Sequence, residues 1–213
     1  PNILAAPFTP DEQPDAFNTR SEWVRAIVIQ PSTGNALAVG EREFKDGKDF
    51  KIYNRAFTVS IHPLAEVMGT PWTSWAPAFK HDAARSIALC GEDVLAGGWT
   101  RDVAPGAAPQ PMIFWIEDDG GSMKHRHEPQ LGSTEINGLA CDREGKIVAA
   151  ATRDTGSSDA QVFAVPGQNG PPTWYETGTP DNDGAEAVAC DWRGFCGRGG
   201  YRTSNGKPYA VVR

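Results

Sequence analysis

The stretch Gly138-Leu139-Ala140-Cys141-Asp142-Arg143-Glu144-Gly145-Lys146-Ile147-Val148-Ala149 decides the fold. Two short runs of small and β-branched residues flank Asp142-Arg143-Glu144-Gly145, which has the chemistry of a tight turn, so the stretch reads as a β-hairpin. The same frame returns in residues 26–40, in 86–98 around Gly91-Glu92-Asp93, and in 187–200 around Asp191-Trp192-Arg193-Gly194. Anchored on Gln30, Cys90, Cys141 and Cys190, the copies are spaced by 60, 51 and 49 residues.

After each hairpin comes a polar loop and a third apolar run, at 50–53, 112–116, 161–165 and 209–212. Weaker extended segments follow at 67–72 and 172–175. Gly (23) and Pro (17) punctuate the 213 residues throughout, and the longest stretches free of both, 15–30 and 48–62, carry no apolar stripe at the helical period. The chain therefore reads as all-β. Four antiparallel strands repeated every roughly forty to sixty residues describe a β-propeller blade. The expected architecture is four four-stranded blades in one domain, with repeats at about 22–75, 82–130, 134–177 and 183–213. Residues 1–9 are expected to supply the outer strand missing from the fourth repeat, so closing the ring and hiding its sheet edges. The alternatives are half of a larger propeller, completed by a second chain or by more of the same one, and a β-sandwich.

Composition removes some functions. Twenty Lys and Arg against 27 Asp and Glu give a net charge of −7 without a basic block, which argues against a nucleic-acid surface. No apolar run is long enough for a membrane-spanning helix.

Around these turns the chain resembles the β-propeller repeats of secreted and surface bacterial proteins, of the seven-bladed type. Their repeat reads approximately A-x-x-V-A-x-D-x-x-G-N-x-x-V-x-G, followed by a polar loop and a strand of W-x-x-x-Y type. The second repeat departs from it, lacking the Asp and shortening the turn at Gly91-Glu92-Asp93. The resemblance implies a propeller and an extracytoplasmic address (periplasm, cell surface or secreted). It implies no reaction.

Asp191-Trp192-Arg193-Gly194 suits a type I turn ending in a left-handed Gly, which pairs Asp191 with Phe195. Cys190 then faces Cys196 across the hairpin at disulfide distance, and a disulfide is expected there. Cys90 and Cys141 stand in one column of neighbouring repeats and read as small buried hydrophobes. No C-x-x-C spacing supports a zinc ribbon.

Candidate sites are few. Asp154-Thr155-Gly156-Ser157 spells an aspartic-protease tetrad but lacks the required second copy. His125 and His127 share one face of an extended segment and suit a transition metal, against the alternative of a solvated loop between blades. Asp181 and Asp183 suit calcium, although the EF-hand's bidentate Glu is absent. Arg42, Arg153 and Arg202 sit two residues beyond their second strands, with Arg101 one place out of register. Together with Trp99 they form a candidate ligand rim for carboxylates or sugars, against interblade ion pairing. No cofactor is required; calcium or a transition metal is the only ion these residues suggest. The expected function is a non-enzymatic binding or structural module, monomeric or homo-oligomeric, whose partner is another protein or a surface glycan. A carbohydrate-binding lectin and a metal-dependent hydrolase or lyase are the alternatives.

Overall fold

The computed structural model describes residues 17–46, 52–61, 73–74, 80–102, 104, 106–116, 123–129, 131–154, 158–167, 170–176 and 182–213. These residues form fifteen strands and no helix. Sheet one holds β1 (Phe17–Ile29), β2 (Ala36–Asp46), β3 (Ile52–Ile61) and β4 (Thr73–Ser74). Sheet two holds β5 (Lys80–Cys90), β6 (Asp93–Asp102), β7 (Gln110–Ile116) and β8 (Met123–His127). Sheet three holds β9 (Thr134–Cys141), β10 (Ile147–Asp154), β11 (Ser158–Val165) and β12 (Thr173–Glu176). Sheet four holds β13 (Asp183–Cys190), β14 (Cys196–Ser204) and β15 (Lys207–Val212). Every sheet is an antiparallel meander in chain order, as short hairpin connections dictate.

The hairpin turns show why the frame repeats. The Asp142 carboxylate accepts the N–H groups of Glu144 and Lys146, each at 2.9 Å, while Gly145 adopts φ 79°. Asp191 does the same for Arg193 and Phe195, at 2.8 and 2.9 Å, with Gly194 at φ 88°. One Asp side chain thus satisfies the turn's amides, and Gly takes the left-handed position without a Cβ penalty.

Consecutive sheets pack face to face because alternate residues of each strand are apolar on both sides. Leu37, Val39 and Ala56 of sheet one meet Val94, Ala96 and Phe114 of sheet two. Leu95, Ile113 and Trp115 on the opposite face of sheet two meet Leu139, Ile147 and Phe163 of sheet three. Val148, Ala150 and Val162 then meet Ala185 and Val188 of sheet four. Each large side chain so buried contributes about 1.5–3 kcal/mol. At Gly138 two backbones come close: a Cβ there would lie 2.8 Å from Ala187 Cα in the next sheet.

Three sequence readings shift. The third strand of the first repeat runs over Ile52–Ile61 rather than 50–53; Asn54 and Arg55 interrupt the apolar pattern midway and hide its second half. The segment holding His125 and His127, weighed as a loop, is the fourth strand of sheet two, pairing Trp115 with His125 and Ile113 with His127. Cys90 and Cys141 are joined in a disulfide across the interface between sheets two and three, with Cα atoms 5.2 Å apart. The expected strands at 1–9 and 67–72 lie outside the described residues.

Candidate binding site at the strand bulges

The first strand of every sheet carries an extra residue at one shared register position: Arg25 in β1, Arg85 in β5, Asn137 in β9 and Glu186 in β13; β1 has a second at Arg20. A bulge leaves its residue out of the ladder and re-aims the side chain. All four residues at the shared position are polar or charged.

Arg25 turns onto Glu41 of β2, with Nε and Nη2 at 3.0 and 2.5 Å from one carboxylate oxygen. Glu41 itself is buried. Arg85 places Nη2 3.3 Å from the Glu135 carboxylate, bridging sheets two and three. Asn137 donates at 3.0 Å to Thr152 Oγ1, at the register position of Glu41, and at 3.0 Å to the Ala185 carbonyl of sheet four. Trp23, two residues before its bulge as Glu135 is before its own, remains 42% exposed, with the Arg25 guanidinium 6.0 Å from its ring centre.

Burial pushes the Glu135 carboxyl above its ordinary value near 4.5; Arg85 and Arg101 oppose that rise, while Glu41 and Asp154 reinforce it. Charges from sheets one, two and three therefore act on one carboxyl. Nearby, the Asn54 N–H donates to His81 Nδ1 at 3.1 Å. Burial, then Arg101 and Arg55, hold that imidazole below its ordinary 6.5, so it serves as a neutral acceptor. The assembled groups alternate carboxylate acceptors with guanidinium and amide donors beside one accessible indole. That combination suits a hydroxyl-rich ligand, whose OH groups both donate and accept and whose C–H faces stack on aromatic rings.

Arg42, Arg153 and Arg202 fall in one register column, one position beyond that of Glu41, and each is half-buried. They border the bulge cluster. Sheet two has buried Thr100 in that column, with Arg101 next to it. Trp99 takes the position of Glu41 in sheet two but is only 5% exposed, with Arg101 5.2 Å from its ring centre, so its faces are already covered.

Among the described residues no three His, Cys, Asp or Glu side chains gather as a metal site requires. His125 and His127 are two apart in β8, and Asp181 lies outside the described residues. Asp183 is buried and accepts the Ala160 N–H at 2.8 Å, while neighbouring Asn182 accepts the Ser158 N–H at 3.0 Å. Both clip sheet four to sheet three.

Cys190 and Cys196 are bonded, with Cα atoms 4.0 Å apart. Beside them a cleft of about 430 Å³ opens between sheets three and four, lined by Val162, Tyr175, Phe195 and Arg198 among others.

The residues that sequence reading missed are Arg25, Arg85, Asn137, Glu135 and Glu186. A bulge adds one residue without changing composition, so only alignment on the polar residue interrupting each apolar strand reveals the column.

No protein-family model matches the chain, and no curated protein does. Among solved structures it is similar to a protein of unknown function from Dyadobacter fermentans DSM 18053, with TM-score 0.55 and 10% identity over 90% of this chain and 71% of that one. It is also similar to an alpha-L-arabinofuranosidase from Lactobacillus brevis, with TM-score 0.50 and 10% identity over 88% and 70%. At such identity the likeness is one of fold alone, and all-β architecture is the class these comparisons define.

Proposed function

We propose that this chain is a β-propeller-type, extracytoplasmic binding module without catalytic activity, and that its ligand is a glycan held at the strand bulges. The observation that carries this reading is the convergence on Glu135 of charged groups from three sheets, one of them Glu41, whose cross-strand partner Trp23 keeps a half-exposed indole. Four successive small sheets sharing one bulge register support the propeller; among the described residues, the outward faces of sheets one and four are uncovered. Two disulfides support an oxidising compartment. No helix among the described residues is long and apolar enough to cross a membrane.

A glycan array with the intact protein, followed by titration of its best hit, tests the reading. Arg85→Ala and Trp23→Ala should each weaken that hit about tenfold, the loss of roughly 1.4 kcal/mol. Silence across the array, or a hit indifferent to both substitutions, would refute it.

A second reading, glycosidic bond hydrolysis, is favoured by the raised Glu135 carboxyl, since a general acid must stay protonated near working pH. A solved arabinofuranosidase shares the fold and suggests the substrate to try. Release of the aglycone from an aryl α-L-arabinofuranoside by the native protein, and not by Glu135→Gln, would establish it in place of the first.

A further inference from the structure

Numbering each first strand from its bulge shows which residues face the preceding sheet. One place before the bulge, and two and four places after it, stand Ala84, Ile87 and Leu89 in β5, Ile136, Leu139 and Cys141 in β9, and Ala185, Val188 and Cys190 in β13. All nine pack against the sheet before their own or against its core. The corresponding residues of β1 are Val24, Ile27 and Ile29, and they are 60, 59 and 65% exposed. Sheet one thus carries the same apolar face, and no described residue covers it.

Sheet four carries the opposite face, equally bare among the described residues. Leu37, Val39 and Ala56 of sheet one cover sheet two, and Val148, Ala150, Ala160 and Val162 of sheet three cover sheet four. The corresponding positions in sheet four are Gly197, Gly199, Ala210 and Val212, and Val212 is 86% exposed. A Cβ added to Gly199 would meet nothing within 4 Å.

The polar part of the interface is also split between the two ends. Ala56 and Ala160 direct an N–H out of their third strands onto Asp82 and Asp183, three residues before the next bulge, each at 2.8 Å. Ala210 holds that position in β15. Arg198 and Arg213 exchange both backbone hydrogen bonds, so two pairs on from them, by the alternation of an antiparallel ladder, come Gly200 and Val211. The next pair, Tyr201 and Ala210, is non-bonded and turns the Ala210 N–H outward. The acceptor position at the other end, three residues before Arg25, is Glu22. The chain therefore holds both halves of an apolar contact it uses three times internally and of a polar one it uses twice.

We infer that a second copy of this chain is the occupant: sheet one of one copy docks on sheet four of the other, with the Glu22 position over Ala210 and Ile27 and Ile29 over Val212. The contact is head-to-tail, and two copies related by a two-fold make it twice and close a ring. It is independent of the glycan site, and its test reads mass and not ligand.

Light scattering on the intact protein across a concentration series should approach twice the 22.9 kDa chain mass. Ile29→Lys and Val212→Arg should each return the single-chain mass with an unchanged circular dichroism spectrum. Mixing the two variants should restore a 1:1 dimer, because each retains the half that the other lacks. A native protein that stays at the single-chain mass, closure of sheet one on sheet four within one chain included, overturns the inference. So does a dimer that both variants preserve, or a mixture of folded variants that stays monomeric.

Discussion

The Asp183 carboxylate accepts the Ala160 N–H at 2.8 Å across the interface between sheets three and four. The bond exists because the outer strands are short. Among the described residues, β12 pairs with β11 only as far as Val162, and β4 with β3 only as far as Phe57, so Ala160 and Ala56 lie beyond the described pairing. Without Asp183 and Asp82 these buried amides would have no acceptor. Asp183→Ala and Asp82→Ala should each cost about 2–3 kcal/mol at neutral pH, the range for losing a charge-assisted bond and orphaning its donor. The Asn variants keep an acceptor and should lose about half as much. Urea unfolding that finds Asp183→Ala as stable as the native chain would remove this role.

Sheet two offers an internal control. Its residue at the position of Ala56 and Ala160 is Pro111, which has no N–H, and the acceptor position in sheet three holds Thr134 instead of Asp. Thr134 is fully buried and donates its hydroxyl to the Leu131 carbonyl at 3.2 Å. Thr134→Asp alone should therefore be strongly destabilising, because it buries a carboxylate with no partner. Pro111→Ala alone should cost about 1 kcal/mol for an orphaned amide. Combined, the two should cost less than their sum by about 1 kcal/mol or more, a coupling that a double-mutant cycle resolves. Simple additivity would show that the donor and acceptor columns do not communicate.

These columns also mark how far sequence reading reaches. The hairpins around Asp142 and Asp191 follow from turn chemistry alone, because Asp and Gly act within five residues. The interfaces do not. Aligning Cys90 with Cys141 places them in one column, but Cys90 lies five residues past its bulge and Cys141 four past its own. With a side-chain period of two, that single residue turns the thiols onto opposite faces, where they meet. Arg42, Arg153 and Arg202 align correctly since their second strands carry no bulge there. Glu135 and Arg85 become partners only once two bulged strands are laid side by side, and composition does not encode that placement.

The two disulfides close loops of very different length, 51 and 6 residues. In the chain-entropy model they stabilise by about 4 and about 2 kcal/mol respectively. Replacing Cys90 and Cys141 by Ala should therefore lower the urea midpoint about twice as far as replacing Cys190 and Cys196. The first bond also fastens sheet two to sheet three, whereas the second stays within one hairpin. Proteolysis under native conditions should consequently find new cuts between residues 102 and 134 only in the first variant. Equal midpoints for the two variants would contradict the assignment.

His81 supplies an acid-sensitive joint. Its Nδ1 accepts the Asn54 N–H of sheet one at 3.1 Å, a bond that only the neutral ring makes. Burial and the nearby Arg101 and Arg55 lower its pKa in the folded state below the ordinary 6.5. The unfolded chain thus takes up this proton first, and the neutral ring's contribution is complete above about pH 6.5. It is lost as the pH falls from there through the folded-state value. Urea midpoints should hold steady from pH 7.5 to 6.5 and then decline toward pH 5. His81→Gln, which keeps an acceptor and does not titrate, should flatten this part of the decline while costing little at pH 7.5. Parallel profiles for the native chain and His81→Gln would assign the acid sensitivity to other groups.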